Sequence, residues 1–170
     1  MGDITIPPLE GKAFGATITG VDLRTLTDGE FATIHRAFLD HGLLVFPQQH
    51  LDEQASADFG RRFGELEFGG QPMANQKKHK DGTFGEIYDI DTQLMRTNVG
   101  NETWHTDSTY KPIASKCAML SAVIIPDEGG NTEFADMRSA YAELDEATKA
   151  RIADLSAYHS RSEEHTSELQ

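Results

Sequence analysis

Short apolar runs in the first part of the chain predict two β-strands. Apolar and polar side chains alternate loosely over residues 14–21, the pattern of a strand with one buried face. Residues 43–46 are apolar throughout and stop at Pro47, which is typical of a buried strand because proline cannot donate a hydrogen bond to a sheet. Both segments are therefore expected to belong to a sheet.

Two helices are predicted by their start and stop signals. Thr27 and Glu30 have the spacing of a capping box, apolar residues then recur at helical spacing, and Gly42 suits the C-terminal cap. Asp52 can cap a second helix, whose apolar positions fall four residues apart and which is expected to end at Gly64.

The rest of the chain predicts a loop, short strands and two more helices. Residues 65–84 are rich in glycine, lysine and polar side chains, the composition of a long loop. Strands are expected at residues 86–91, 103–107, 116–125 and 132–134. Asp136 and Asp145 can cap helices over residues 137–144 and 146–155. The predicted class is mostly β, a barrel or sandwich with flanking helices.

Composition and charge narrow the class of protein. The chain has 170 residues, enough for one domain, and its 15 basic and 28 acidic residues give a formal charge of −13. This acidity argues against nucleic acid as a partner. No apolar stretch has membrane-spanning length and the N-terminus lacks a signal peptide, so we expect no membrane contact and a cytoplasmic location. The sequence does not determine the oligomeric state, and a homo-oligomer is compatible with it.

The single cysteine and the basic run bear on chemistry in different ways. Cys117 excludes an internal disulfide, and its apolar neighbours predict a buried thiol without a catalytic role. The basic residues around Lys78 could form a local patch for a small anionic substrate in this acidic chain.

The segment Trp104-His105-Thr106-Asp107-Ser108 predicts a metal site. Residues i and i+2 of a strand point to the same face, so His105 and Asp107 would project together. An imidazole and a carboxylate make two of the three ligands of the 2-His-1-carboxylate triad that holds non-haem Fe(II). Such a triad covers one face of the metal and leaves the other open for oxygen and an organic co-substrate.

Other interpretations of this pair remain open. A His–Asp pair is often a structural hydrogen bond, and a zinc hydrolase site would use similar ligands, although the chain has no His-Glu-x-x-His motif. No other histidine has an obvious spacing to His105; His35 is expected to be solvated on a helix, and His159 could in principle complete the triad.

Several ordered motifs together resemble the TauD/TfdA family of Fe(II)- and 2-oxoglutarate-dependent dioxygenases. They are the segment 104–108, Gly20-Val21-Asp22-Leu23, Leu43-Leu44-Val45-Phe46, the segment 59–67, Met119-Leu120-Ser121-Ala122-Val123 and the segment 129–138. The likeness runs from about residue 10 to about residue 160, and within the family the chain most resembles the 2,4-dichlorophenoxyacetate dioxygenase branch.

The resemblance implies a fold, cofactors and roles for particular residues. It implies a double-stranded β-helix (jelly-roll) core, iron bound by His105 and Asp107, and Thr132 holding the 2-oxoglutarate carboxylate. Asn101 and Thr109 would face the substrate, and Lys78 is a further candidate. The implied reaction hydroxylates a small organic acid, such as an aryloxyalkanoate, sulfonate or alkyl sulfate, while 2-oxoglutarate is decarboxylated to succinate.

The resemblance also implies residues that this sequence does not contain. The family's second iron-binding histidine and its 2-oxoglutarate-binding arginine lie on later strands, so residues 1–160 are expected to be the N-terminal part of the domain, with an incomplete jelly roll. Residues 161–170 depart from the family pattern and are expected to be a non-native tail. We expect this chain to be inactive alone and to leave sheet edges and apolar surface uncovered. The alternatives are a non-catalytic β-barrel that binds a ligand or partner, and a cupin-like metal-dependent hydrolase or isomerase.

Overall fold

A computed structural model describes residues 3–67, 76–78, 84–87, 104–122 and 125–157, with only the backbone of 76–78 and 84–87. The described helices are α1 (Asp28–His41), α2 (Glu53–Arg61), α3 (Met137–Ala142) and α4 (Glu146–Ile152). The described strands are β1 (Ala16–Thr17), β2 (Leu44–Val45), β3 (Gln76–Lys78) and β4 (Phe84–Ile87). The chain divides into two compact units, Met1–Leu66 with Met119–Ser156, and Glu67–Ala118 with Ala157–Gln170.

The first unit contains the two strands predicted near the start of the chain, in shorter form. β1 and β2 pair in parallel, with Ala16 opposite Leu44 and Thr17 opposite Val45. A bridge between Thr5 and Thr19 adds the N-terminal segment to this pair. Leu44 is only half-buried and Val45 is 41% exposed, so the prediction that the second strand is buried is wrong.

Helix α1 has the predicted caps at both ends. The backbone amide of Thr27 donates to Glu30 Oε2 at 2.8 Å, and the Glu30 amide donates to Thr27 Oγ1 at 3.3 Å, which completes the capping box. The hydrogen bonds that the Glu30 carboxylate accepts, first from the Thr27 amide and then from the Thr27 hydroxyl, lower the pKa of Glu30. Gly42 adopts φ 74°, the left-handed conformation that glycine tolerates, and its amide donates to Phe38 O. The local sequence signals were therefore sufficient to predict this helix.

The core of the first unit forms between α1, α2 and β1. Its buried side chains are Ile18, Leu23, Ile34, Ala37 and Phe59. Aromatic rings extend this core, and the imidazole of His35 is half-buried with its centroid 6.0 Å from Phe31 and 5.9 Å from Phe63. The prediction that His35 is solvated is wrong, because residues four apart on α1 share a face and Phe63 covers that face.

The later helices start where their caps predict and end earlier. Asp52 accepts from the Ala55 amide at 2.8 Å, but α2 ends at Arg61 and not at Gly64. Asp136 and Asp145 cap α3 and α4, which are shorter than predicted. The side chain of Arg138 in α3 donates to the carbonyl of Leu39 at 3.2 Å, so it ties α3 to the last turn of α1.

The second unit contains a strand where a loop was predicted. β3 pairs antiparallel with β4, with Gln76 opposite Ile87 and Lys78 opposite Phe84, so the loop prediction for 65–84 is wrong at residues 76–78. β4 begins two residues before the predicted strand 86–91, and residues 88–91 lie outside the described residues.

Three other strand predictions are wrong where the chain is described. Residues 104–107, 116–122 and 132–134 belong to no helix or strand. An apolar pattern alone does not make a strand, because a strand also requires a neighbouring strand in register. Over those parts, more residues lie in helices than in strands, so they do not display the mostly-β character that the sequence predicts.

Large apolar side chains of the later segments of the first unit are exposed. Leu120 is 72% exposed, Ile125 78% and Leu155 70%. This agrees with the expectation of uncovered apolar surface. Within the described residues, no helix combines the length and apolar character needed to cross a bilayer.

Candidate metal centre

The two predicted iron ligands lie side by side in the second unit. His105 Nε2 lies 3.3 Å from Asp107 Oδ1. The residues sit at the start of a turn and not on the predicted strand, so it is the turn at 107–110 that brings the two side chains together. Both side chains are about half exposed, 47% for His105 and 58% for Asp107, which leaves their ligand atoms accessible to an ion.

The spacing of these two atoms suits a shared metal ion. Ligand atoms at about 2.1 Å from a transition metal and at right angles to each other lie about 3 Å apart. The observed 3.3 Å is close to that value. No group of three or more His, Cys, Asp and Glu side chains suited to a metal occurs among the described residues, so the pair fits as part of a site.

Glu67 contacts the turn that follows the pair. Its Oε2 accepts from the Ser108 hydroxyl at 2.9 Å, and its Oε1 accepts from Lys111 Nζ at 2.5 Å. The Lys111 amide donates to the Ser108 carbonyl at 3.1 Å, which closes the turn through its backbone. One carboxylate therefore holds both ends of the turn 108–111.

The conformation of Ser108 is unusual for its residue type. Its φ is 57°, in the left-handed region that residues with a Cβ rarely adopt outside glycine, asparagine and aspartate. It is also only 9% exposed. A buried serine in this conformation needs surrounding contacts to hold it, and the hydrogen bond from its hydroxyl to Glu67 is one of them.

The charge of Glu67 is stabilised by the same contacts. Hydrogen bonds from Lys111 and then from Ser108 lower the pKa of Glu67, and partial burial opposes them. Glu67 is consequently ionised at neutral pH and pairs with Lys111. Elsewhere in this unit, burial raises the pKa of the Cys117 thiol and Lys116 opposes it, which agrees with the predicted unreactive thiol, although Cys117 is only half-buried.

The remaining predicted site residues are described to different extents. Thr109 is half-buried in the same turn as Asp107. Thr132 belongs to the first unit, where it is exposed in a segment without regular structure. Asn101 lies outside the described residues, and Lys78 is described only as backbone in β3. The structure therefore brings His105 and Asp107 together with Thr109 beside them, and the roles of Thr132, Asn101 and Lys78 stay predictions.

Sequence reasoning missed the contribution of Glu67 and Lys111. Glu67 is 41 residues from Ser108 and 44 from Lys111 along the chain, and no local sequence pattern predicts contacts over such a separation. The segment that contains Glu67 was noted only as part of a family-like motif.

Comparisons with known proteins place this chain in a family of dioxygenases. A profile of the taurine catabolism dioxygenase TauD, TfdA family matches residues 5–169. The chain therefore belongs to the TauD/TfdA family, as its motifs predict.

Individual relatives point to one part of this family. An (S)-phenoxypropionate/alpha-ketoglutarate-dioxygenase of Delftia acidovorans is 46% identical over 153 residues, 88% of this chain and 52% of the relative. An alpha-ketoglutarate-dependent 2,4-dichlorophenoxyacetate dioxygenase of Cupriavidus pinatubonensis is 35% identical and covers 86% of this chain and 55% of the relative.

A solved structure has a similar fold. The crystal structure of AAD-2 in complex with Mn(II) and N-oxalylglycine matches with a TM-score of 0.80 and 38% identity, over 90% of this chain and 54% of that one. The chain thus spans about half the length of the curated relatives and the solved structure that it matches.

Proposed function

We propose that this chain supplies two iron ligands, His105 and Asp107, to an Fe(II)- and 2-oxoglutarate-dependent dioxygenase. The observation that carries this proposal is the 3.3 Å approach of His105 Nε2 to Asp107 Oδ1 in a chain of the TauD/TfdA family. The solved relative holds Mn(II) together with N-oxalylglycine, an analogue of 2-oxoglutarate, which supports the same metal chemistry and the same co-substrate here.

The proposed reaction divides molecular oxygen between two products. 2-Oxoglutarate loses carbon dioxide and takes one oxygen atom to become succinate, and a C–H bond of the substrate takes the other oxygen atom to become C–OH. Each organic molecule gives up two electrons, and oxygen accepts all four. Bound Fe(II) would supply the site for this oxygen chemistry. The protein would hold the metal, orient the co-substrate and the substrate, and exclude water.

The chain's own residues have distinct tasks in this proposal. His105 would hold the metal through an imidazole nitrogen, and Asp107 would hold it through a carboxylate oxygen. Thr132 would donate a hydrogen bond to a carboxylate of 2-oxoglutarate. Thr109, beside the ligand pair, and Asn101 would contact the substrate, with Lys78 as a further candidate for an anionic group. A jelly-roll core, completed by segments that correspond to the second half of the relatives, belongs to the same proposal.

An aryloxyalkanoate is the substrate class that the relatives favour. The names of the Delftia and Cupriavidus relatives specify a phenoxypropionate and a dichlorophenoxyacetate. Sulfonates and alkyl sulfates are the other classes expected from the family resemblance. All are small organic acids, and hydroxylation of the carbon that carries the ether oxygen, the sulfate ester oxygen or the sulfonate sulfur yields a product that fragments.

A chimera tests the activity directly. Residues 1–157 of this chain, joined to the second half of the Delftia relative, would be incubated with Fe(II), 2-oxoglutarate, oxygen and (S)-phenoxypropionate. Succinate and a phenol should form together and in equal amounts. The chimera with Asp107→Ala should form neither product, whereas Asp127→Ala, which removes an exposed carboxylate of the first unit, should leave both unchanged. Undiminished turnover by the Asp107→Ala chimera would refute the proposal.

Metal binding by the chain itself provides a test that does not depend on the chimera. Under anaerobic conditions, Fe(II) and 2-oxoglutarate should give the weak visible absorption of a 2-oxoglutarate chelate. A non-catalytic β-barrel would give no such band, and a zinc-type hydrolase would bind metal without it.

A further inference from the structure

We infer that Glu67 is a positioning residue that fixes the turn from which His105 and Asp107 project. This inference rests on the proposed metal site, since it concerns the geometry of the ligand pair. Glu67 acts through its hydrogen bond with Ser108, the residue that directly follows Asp107.

Ser108 has an unusual backbone conformation. A φ of 57° sets the direction in which the chain continues after Asp107, and therefore how the segment that carries both ligands is held against the following turn. An extended conformation is the more stable alternative for serine, so the turn persists because other contacts hold it.

Glu67 makes a pair of contacts across this turn. Its two carboxylate oxygens accept from Ser108 Oγ and from Lys111 Nζ, so a single side chain bridges the start and end of the turn. The side chains of Glu67 and Lys111 are only 30% and 33% exposed. Their ion pair is therefore screened less than a fully solvated ion pair would be.

In metal sites generally, residues that do not bind the ion still affect how tightly it is held. Side chains that hydrogen-bond around metal ligands orient those ligands, and their loss lowers metal affinity about 10- to 100-fold. Glu67 has a comparable place in the proposed site, because it accepts a hydrogen bond from Ser108, the residue next to the ligand Asp107. Removal of the Glu67 side chain should therefore lower the metal affinity even though Glu67 is not a ligand.

The test compares Glu67→Ala, Glu67→Gln and the control Glu65→Ala in the whole chain. Glu65 is an exposed carboxylate two residues away. Without metal, the NMR amide signals of residues 105–111 should shift strongly in Glu67→Ala and less in Glu67→Gln, which keeps one acceptor for Ser108. Glu65→Ala should leave them in place. Unmoved signals in Glu67→Ala would overturn the inference.

Metal affinity provides the second readout, measured with Mn(II) by the paramagnetic resonance signal of the free ion. Glu67→Ala should weaken Mn(II) binding about 10-fold or more. Ser108→Ala should weaken it similarly, and the double variant should be no weaker than either single variant, because the two residues act through one contact. Equal Mn(II) affinity in Glu67→Ala and the unaltered chain would overturn the inference.

The two proposals fail in different ways. An unaltered chain that binds no Mn(II) contradicts the metal site, and the metal-free amide signals then decide the role of Glu67 alone. Ser108→Gly adds a separate check, because glycine accepts the positive φ without the hydroxyl. If Ser108→Gly restores the affinity that Ser108→Ala loses, the backbone conformation itself orients the ligands, as the inference requires.

Discussion

His105 Nε2 and Asp107 Oδ1 approach to 3.3 Å across a single intervening residue. Two groups this close either bond directly to each other or share an ion. Asp107→Ala and His105→Ala should each abolish measurable Mn(II) binding, because removal of one ligand from so small a ligand set leaves little affinity. Isothermal titration would measure this, with Asp127→Ala as the control. Equal Mn(II) binding by Asp107→Ala and the unaltered chain would identify the pair as structural.

The core of the first unit depends on Ile34, which is fully buried in α1. Ile34→Ala should lower the free energy of unfolding by about 2–5 kcal/mol, since it removes buried methylene groups and leaves a cavity. Ile34→Val should cost about 0.5–1.5 kcal/mol. Urea unfolding followed by circular dichroism would measure both values. Equal stability of the alanine and valine variants would mean that the site collapses without a cavity.

The capping box makes α1 sensitive to a single hydroxyl. Thr27→Ala removes the group that accepts from the Glu30 amide and should cost about 1 kcal/mol in the free energy of unfolding. Thr27→Ser retains the hydroxyl and should be close to the unaltered chain. Thermal unfolding of the three proteins side by side provides the comparison, and a serine variant as unstable as the alanine variant would contradict the capping role.

Acid should destabilise the protein through its hydrogen-bonded carboxylates. Among the residues that the structure describes, four carboxyl groups have a lowered pKa in the native state: Glu30, Glu67, Asp136 and Asp145. Groups with a lowered pKa contribute stability that is complete above their unfolded pKa, here 4.5 for Glu and 3.8 for Asp, and that is lost as the pH falls through the native pKa. Urea midpoints at pH 7 and pH 5 should therefore be similar, and midpoints below pH 4 should fall. Glu30→Gln should reduce this fall.

Exposed apolar side chains predict self-association. Leu120 and Ile125 are 72% and 78% exposed, so Leu120→Glu should reduce binding of a hydrophobic dye and reduce oligomers seen by sedimentation. Because the residue is exposed, its substitution should change the free energy of unfolding by no more than about 0.5 kcal/mol. Glu133→Gln, another exposed position of the first unit, should change neither measurement. Unaltered dye binding in Leu120→Glu would contradict the prediction.

Features that depend on neighbouring residues could be predicted from the amino-acid sequence. The capping box of Thr27 and Glu30, the glycine cap at position 42 and the caps at Asp136 and Asp145 were all predictable, because each is a hydrogen bond within a few residues. The closeness of His105 and Asp107 was predicted for the wrong reason: a turn, not a strand, brings them together. The motifs also predicted the family, which the comparisons confirm.

Features that depend on distant partners became visible only in the folded chain. A strand forms where another strand accepts its hydrogen bonds, so the apolar pattern of residues 116–122 did not suffice, whereas Gln76–Lys78 paired with β4 despite a loop-like composition. The contacts of Glu67 with Ser108 and Lys111 span more than 40 residues and have no local signature. Local hydrogen bonds are specified by sequence spacing, but contacts between distant segments exist only once the whole chain has folded.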